Sequence, residues 1–134
     1  MHKESILIVD DDRTTASVMQ LHLNNYGYHV AGIASSAKEA IKIAIDTEPD
    51  LVLMDINMPA KNCIEATKEI RKFNTTIPII ALTAVEIEEI RHKIYLAGMD
   101  DIILKPYDIS KFIETITKNI TLNKQENKSH LKVI

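Results

Sequence analysis

The sequence predicts an α/β protein with a doubly wound, five-stranded parallel sheet and helices on both of its faces, a three-layer sandwich with right-handed crossovers. Short apolar segments alternate with longer amphipathic ones along nearly the whole chain. Several short segments are continuously apolar, which is typical of strands covered on both faces. The five predicted strands are residues 6–9, 30–33, 51–54, 77–82 and 102–104.

Helical periodicity fills the segments between the strands. Gly27 is the predicted stop of the first helix, and Ser36 with Glu39 three residues later forms a capping box that begins the second. From about Thr121 the chain is polar, so a domain of residues 1–121 and a flexible tail of residues 122–134 are predicted. The predicted apolar helix faces are Met19, Leu23 and Tyr26 in the first helix, Ala40, Ile43 and Ala44 in the second, and Ile109, Phe112, Ile113, Ile116 and Ile120 in the last.

Length and composition narrow the class of protein. A chain of 134 residues forms one domain with a core and is too short for two. A net charge of −3 gives no basic patch for nucleic acid, and no apolar run approaches the twenty residues of a membrane span. Cys63 is the only cysteine, so no internal disulfide forms and a reducing compartment is expected. These features predict a cytoplasmic protein without nucleic-acid or membrane contact.

The predicted strands deliver reactive side chains to one edge of the sheet. In an open parallel sheet, ligands bind outside the carboxyl ends of the strands. The first strand is followed by Asp10, Asp11 and Asp12, the third by Asp55 and then Asn57, the fourth by Thr83 and Ala84, and the fifth by Lys105. Acidic, hydroxyl and amine groups are therefore expected to meet there.

This set of groups suits phosphoryl transfer. Clustered carboxylates repel one another unless a cation neutralises them, and oxygen-only ligands with remaining waters favour Mg²⁺. A carboxylate can act as a nucleophile toward phosphorus and form an aspartyl phosphate. A lysine neutralises charge on the phosphoryl oxygens, while a threonine hydroxyl and a backbone N–H donate hydrogen bonds to them.

Five motifs together resemble the receiver domain of two-component response regulators, similar in plan to single-domain chemotaxis regulators. The resemblance covers residues 5 to about 120 and implies a flavodoxin-like (βα)5 fold with strand order 2-1-3-4-5. The motifs lie at residues 6–12 (ILIVDDD), 53–59 (LMDINMP), 81–84 (ALTA), 97–101 (AGMDD) and 105–106 (KP).

The resemblance implies an acceptor and a metal site. Asp55 corresponds to the residue that is phosphorylated. Asp10 and Asp11 correspond to the acidic pair, with Asp11 as the direct Mg²⁺ ligand and Asp10 acting through water. Asn57 corresponds to the position whose backbone carbonyl completes the metal site, and Mn²⁺ is the implied substitute for Mg²⁺.

The resemblance also implies how the phosphoryl group is bound and sensed. Thr83 corresponds to the hydroxyl that follows the phosphoryl oxygens, Ala84 to a backbone N–H donor, and Lys105 to the pairing cation. The Lys105–Pro106 bond is expected to be cis, a conformation realistic only before proline. Thr83 and Ile102 occupy the two switch positions.

Three positions depart from the family pattern. Asn62-Cys63 replaces the usual Asp-Gly, so Cys63 is expected either to bear backbone strain or to adopt another conformation. Two roles are open for Cys63: a redox switch through its thiol, or a small residue that this position tolerates. Ile102 replaces the usual aromatic switch residue, which leaves movement of Thr83 as the switch. Val85 is apolar at a position that influences dephosphorylation.

The implied partners are a histidine kinase or histidine phosphotransfer protein as donor and a downstream protein at the face of the fourth helix, fifth strand and fifth helix. A phosphorylation-dependent homodimer is a further implied arrangement. The chain is expected to be either a stand-alone receiver or the C-terminal receiver of a hybrid histidine kinase, and in the second case the cytoplasmic portion of a membrane-bound protein. Residues 97–101 resemble the receivers of hybrid kinases in particular. The candidate readout residues are Ile87, Ile90, Ile103 and Tyr107.

Two alternatives belong to other classes. Asp10-x-Asp12-x-Thr14 resembles the nucleophile motif of haloacid-dehalogenase-type phosphatases, a reading that leaves Asp55 without a role. A receiver-like binding module that is never phosphorylated is the other. A receiver is not a conventional turnover enzyme, since it catalyses its own aspartyl phosphorylation and dephosphorylation.

Overall fold

A computed structural model describes residues 4–56, 60–85 and 88–133, with the backbone alone at residues 60–62 and 127–133. Its five strands form one parallel sheet in the order β2-β1-β3-β4-β5, as predicted. The strands are β1 (Ser5–Val9), β2 (His29–Ala34), β3 (Leu51–Asp55), β4 (Ile79–Thr83) and β5 (Asp101–Leu104). The helices between and after them are α1 (Arg13–Asn25), α2 (Ala37–Thr47), α3 (Ala60–Phe73), α4 (Glu88–Ala97) and α5 (Ile109–Val133).

Two apolar cores lie on opposite faces of the sheet, because alternate strand residues point to opposite sides. Ile6 and Ile8 of β1 belong to the core beneath α1 and α5, whereas Leu7 and Val9 belong to the core beneath α2, α3 and α4. All four are fully buried. Burial on both faces explains why the strands are continuously apolar in sequence.

Helix ends follow the predicted signals, with one correction. Gly27 has φ 89°, a left-handed conformation that ends the turn after α1 at little cost. Ser36 Oγ accepts a hydrogen bond from the Glu39 N–H at 3.2 Å and caps α2. Met19 and Leu23 are buried as predicted, but Tyr26 is 54% exposed, because α1 ends at Asn25 and the chain turns before Tyr26 could continue the apolar face.

The segment predicted as a tail continues α5, which runs as helix through Val133. Among the residues of α5 whose side chains the structure describes, Ile120 is the last buried apolar one. The segment beyond it contains no glycine or proline and has three lysines, a glutamate and a glutamine, which propagate a helix already nucleated by packing. Over the described residues, no helix is both long and apolar enough to cross a membrane.

Arg71, on α3, ties together two loops that enter the sheet. Its Nη1 donates to the Ile77 carbonyl at 2.6 Å, and its Nε and Nη2 donate to the Gly98 carbonyl at 3.0 and 2.8 Å. Nη2 also contacts Asp100 Oδ2 at 2.7 Å, an oxygen that accepts the Ile79 N–H at 2.8 Å. The starts of β4 and β5 are therefore fixed to α3 by one guanidinium group.

Replacing Arg71 with lysine should lower the free energy of unfolding by about 2 kcal/mol, since an ammonium group cannot reproduce the planar set of donors. Urea unfolding measures the change. Lys72→Ala, on the exposed face of the same helix, is the matched control and should change stability by less than about 0.5 kcal/mol. Equal losses in the two variants would contradict the importance of these contacts.

Candidate functional site

The carboxyl edge of the sheet brings the predicted site residues together. Asp55 is the last residue of β3 and Thr83 the last of β4, while Asp10 directly follows β1 and Lys105 directly follows β5. The Ile56 N–H donates to the Leu82 carbonyl at 2.8 Å and extends the β3–β4 pairing past Asp55. Adjacent parallel strands thus place the acidic, hydroxyl and amine groups at one end of the molecule.

A buried ion pair joins two of these strands. Lys105 Nζ lies 2.9 Å from Asp55 Oδ1, and the exposed fractions of the two side chains are 18% and 3%. The Lys105 N–H donates to the Thr83 carbonyl at 2.8 Å, which fixes the chain beyond β5. The Lys105–Pro106 peptide bond is cis, as the resemblance implies.

Three carboxylates form an acidic cluster beside this pair. One oxygen from each of Asp10, Asp11 and Asp55 lies within 4.8 Å of the others. Asp10 Oδ1 accepts the Asp12 N–H at 2.9 Å, whereas its Oδ2 is buried without a hydrogen-bond partner. Burial raises the pKa of Asp10 to about 6. The hydrogen bond from the Asp12 N–H lowers this pKa, and the neighbouring Asp55 raises it further.

The cluster fits a hard divalent cation. Three convergent carboxylate oxygens are a donor set that such an ion satisfies, and Asp10 also has a buried oxygen without a hydrogen-bond partner. Asp11 is exposed, which leaves room for water ligands. Asn57, the predicted source of a carbonyl ligand, lies outside the described residues.

Thr83 is oriented by the backbone of the turn that follows β4. Its hydroxyl donates to the Val85 carbonyl at 3.1 Å and accepts the Val85 N–H at 3.2 Å. Ala84 is exposed in the same turn, and Val85 is 49% exposed. The predicted hydroxyl and N–H donors therefore lie on one short segment at the edge of the site.

Cys63 lies beside β3 without backbone strain. It is inside the regular helix α3, and among the described residues the one positive φ outside glycine belongs to Glu48. Its thiol donates to the Asp55 carbonyl at 3.1 Å. Burial, reinforced by the charges of Asp55 and Asp11, raises the pKa of Cys63 to about 12. A thiol that stays protonated is a packing residue, which argues against a redox role.

The structure also shows the surroundings of Asp12, Ile90 and Ile102. Asp12 caps α1, with its carboxylate accepting from the Thr14 N–H at 3.1 Å and the Thr15 hydroxyl at 2.8 Å. Ile102 and Ile90 pack partly buried against the core beneath α4.

The candidate readout residues fall into different environments. Ile103 is buried in the core beneath α5. Tyr107 stacks on Phe112 with a centroid distance of 4.4 Å. Ile87 lies outside the described residues.

A doubly wound sheet that gathers an acidic cluster, a hydroxyl and a lysine at its carboxyl edge defines a phosphoryl-accepting signalling domain. A model of the response regulator receiver domain matches residues 6–117, and the chain belongs to that family. It is a receiver domain of two-component systems, and the phosphatase alternative is not supported.

Relatives show the family both alone and inside longer proteins. The chain is 35% identical over 113 residues to the chemotaxis protein CheY of Thermotoga maritima, covering 84% of this chain and 94% of that protein. It is 36% identical over 116 residues to the transcriptional regulatory protein ZraR of Salmonella typhimurium, covering 87% of this chain but 26% of ZraR.

A solved structure of the receiver domain of the sensor histidine kinase PA1611 from Pseudomonas aeruginosa has a magnesium ion coordinated in its active site cleft. It superposes with a TM-score of 0.80 at 30% identity, covering 90% of this chain and 99% of that one. Receiver domains bind Mg²⁺ in an acidic pocket, and Asp10, Asp11 and Asp55 form such a pocket here.

Asp10→Asn should stabilise the metal-free protein at neutral pH. The pKa of Asp10 is about 6 in the folded state, against an ordinary 3.8, so the folded protein holds the Asp10 proton more tightly than the unfolded chain does. The contribution of Asp10 to the free energy of unfolding is therefore most favourable below pH 4 and is lost as the pH rises through 6. Urea unfolding in a chelator should show a gain of about 1–3 kcal/mol at pH 7.5 that shrinks toward pH 4. The exposed Asp46→Asn control should show no such gain. A difference between wild type and Asp10→Asn that is independent of pH would contradict this account.

Mg²⁺ should raise the melting temperature of the wild-type protein by mass action on the folded state. Asp11→Ala should weaken that rise while leaving the metal-free melting temperature nearly unchanged, since Asp11 is exposed. A thermal-shift titration measures both. An identical Mg²⁺ response in the variant would exclude Asp11 as a ligand.

Proposed function

We propose that Asp55 accepts a phosphoryl group from a phosphohistidine on a histidine kinase or phosphotransfer protein. The observation that carries the proposal is the placement of the Asp55 carboxylate, which pairs with Lys105 at 2.9 Å on one side and meets Asp10 and Asp11 on the other. A carboxylate between a fixed cation and a site for a divalent cation is positioned to attack an anionic phosphorus.

In the proposed reaction, a carboxylate oxygen of Asp55 attacks phosphorus in line, the P–N bond breaks and the imidazole leaves. Water later attacks the acyl phosphate and releases inorganic phosphate and the carboxylate. Mg²⁺ held by Asp10, Asp11, Asp55 and the Asn57 carbonyl, or Mn²⁺ in its place, would supply positive charge for the phosphoryl oxygens. Lys105 supplies a positive charge from the protein itself.

Thr83 and Ala84 are proposed to respond to the new group. The Thr83 hydroxyl would exchange its hydrogen bonds to Val85 for one to a phosphoryl oxygen, and the Ala84 N–H would donate to another. Since those bonds hold the turn after β4, their exchange would bias the position of α4. Ile102, half-buried in the neighbouring strand, has no ring to rotate and would adjust by packing alone.

The α4-β5-α5 face is the proposed output surface, for a downstream partner or a phosphorylation-dependent homodimer. β5 is an edge strand, and a depression of about 430 Å³ lies between it and the start of α5. Leu104 is 43% exposed there. We place the receiver unit itself at residues 1–121, because Ile120 is the last buried core residue among the side chains of α5 described through residue 126.

Incubation with Mg²⁺ and a small phosphoryl donor, or with a phosphohistidine partner, tests the acceptor. Intact mass spectrometry should show one phosphoryl adduct in the wild-type protein and in Asp12→Asn, the matched control, and none in Asp55→Asn. An adduct that Asp55→Asn retains and Asp10→Asn loses would instead identify Asp10 as the nucleophile. No adduct from either type of donor would indicate a binding module that is never phosphorylated.

A further inference from the structure

Helices α3 and α4 are separated by an apolar groove that reaches Thr83 and Val85 in the turn after β4. One part of the groove is a cavity of about 220 Å³. A second depression of about 180 Å³ continues it and shares Ile64 and Lys93 with the cavity. The α3–α4 groove is lined by Ile56, Ile64, Lys68, Thr83, Val85, Ile90, Lys93, Ile94, Leu96, Ala97 and Met99.

The surface of the α3–α4 groove is unusually apolar for an exposed part of the chain. Val85 is 49% exposed and Leu96 is 72% exposed, and both line the groove. The cavity exceeds the roughly 150 Å³ that accommodates benzene in an engineered protein interior. It is therefore large enough to receive an apolar side chain of a partner.

The described lining residues of the α3–α4 groove carry charge of one sign. The charged ones among them are Lys68 and Lys93, one from each helix, and both are exposed. Lys93 lies 3.6 Å from Glu89 on its own helix, an exposed pair of the kind that contributes little and exchanges partners readily. Apolar walls with a cation on each side complement an acidic amphipathic segment.

The helices that form the groove are held in place before any partner arrives. Arg71 on α3 donates two hydrogen bonds to the carbonyl of Gly98, the residue that follows α4. Ile94 and Met99 are buried against the same core as Ile70 of α3. A preformed groove avoids part of the ordering cost of binding.

We propose that the α3–α4 groove binds an acidic amphipathic peptide segment of a partner protein. The segment places an apolar side chain in the cavity and carboxylates beside Lys68 and Lys93. The groove shares α4 with the α4-β5-α5 output face but lies on the side of α4 next to α3. Its binding is tested on the unphosphorylated chain, so the test does not require that Asp55 is the acceptor.

Two fluorescein-labelled helical peptides with the same apolar stripe test the proposal, one with Glu and one with Lys at the flanking positions. Fluorescence anisotropy with the full chain at low salt should show binding of the Glu peptide at least about tenfold tighter than the Lys peptide, and weaker binding as salt is added. Equal affinity of the two peptides, or no binding of either peptide at millimolar protein, would overturn the proposal.

Charge reversal locates the binding surface. The double variant Lys68→Glu/Lys93→Glu should weaken binding of the Glu peptide about tenfold or more and improve binding of the Lys peptide. Lys72→Glu is the matched control, because Lys72 lies on α3, pairs with Glu69 and does not line the groove. Equal effects of the double variant and the control would place binding elsewhere.

Leu96→Ser tests the apolar contribution of the groove to peptide binding, and Leu122→Ser on α5 is its control. Both side chains are exposed, so both substitutions should preserve the fold. Binding of the Glu peptide should weaken in the first and not in the second. Analytical ultracentrifugation of the chain without peptide tests whether a second copy of the chain occupies the groove instead. A concentration-dependent dimer that Leu96→Ser abolishes would overturn the peptide assignment in favour of self-association.

Discussion

The ion pair between Lys105 and Asp55 is the interaction on which the carboxyl edge of the sheet depends. Three carboxylates meet there, and two of them are almost fully buried. Breaking a buried ion pair by removing one partner commonly costs about 3–5 kcal/mol, because the remaining charge stays buried. The backbone bond from Lys105 to Thr83 fixes the lysine in the sheet, so the ammonium group is present before any phosphoryl group arrives. Asp10 keeps one oxygen unpaired, and the apolar cores on both faces offset that cost.

The fold and the position of the site follow from features that are local in sequence. Continuous apolar strands require cover on both faces, and parallel strands deliver their last residues to one edge. Asp10, Asp55, Thr83 and Lys105 were therefore predicted to meet before any contact was known. The Ser36 cap and the Gly27 stop were predictable for the same reason, since each depends on residues no more than four apart.

Contacts between distant residues were not predictable. Arg71 carries no signal in sequence, because a single arginine on a helix is usually exposed. Its guanidinium nevertheless joins the two loops that lead into β4 and β5, through Ile77, Gly98 and Asp100. The helical conformation of residues 122–133 was not predicted, because polar composition fits both a coil and an exposed helix. Thr83 was predicted at the carboxyl edge of the sheet and lies there, but the hydrogen bonds of its hydroxyl to Val85 depend on a turn that composition does not specify.

The position of Cys63 has a consequence for kinetics. Its thiol is fully buried, protonated and bonded to the carbonyl of Asp55, and the chain contains no other cysteine. A buried thiol reacts with an alkylating reagent only during transient opening of the surrounding structure. The rate of its alkylation therefore reports how often the layer between α3 and β3 opens, at one known atom and without an introduced label.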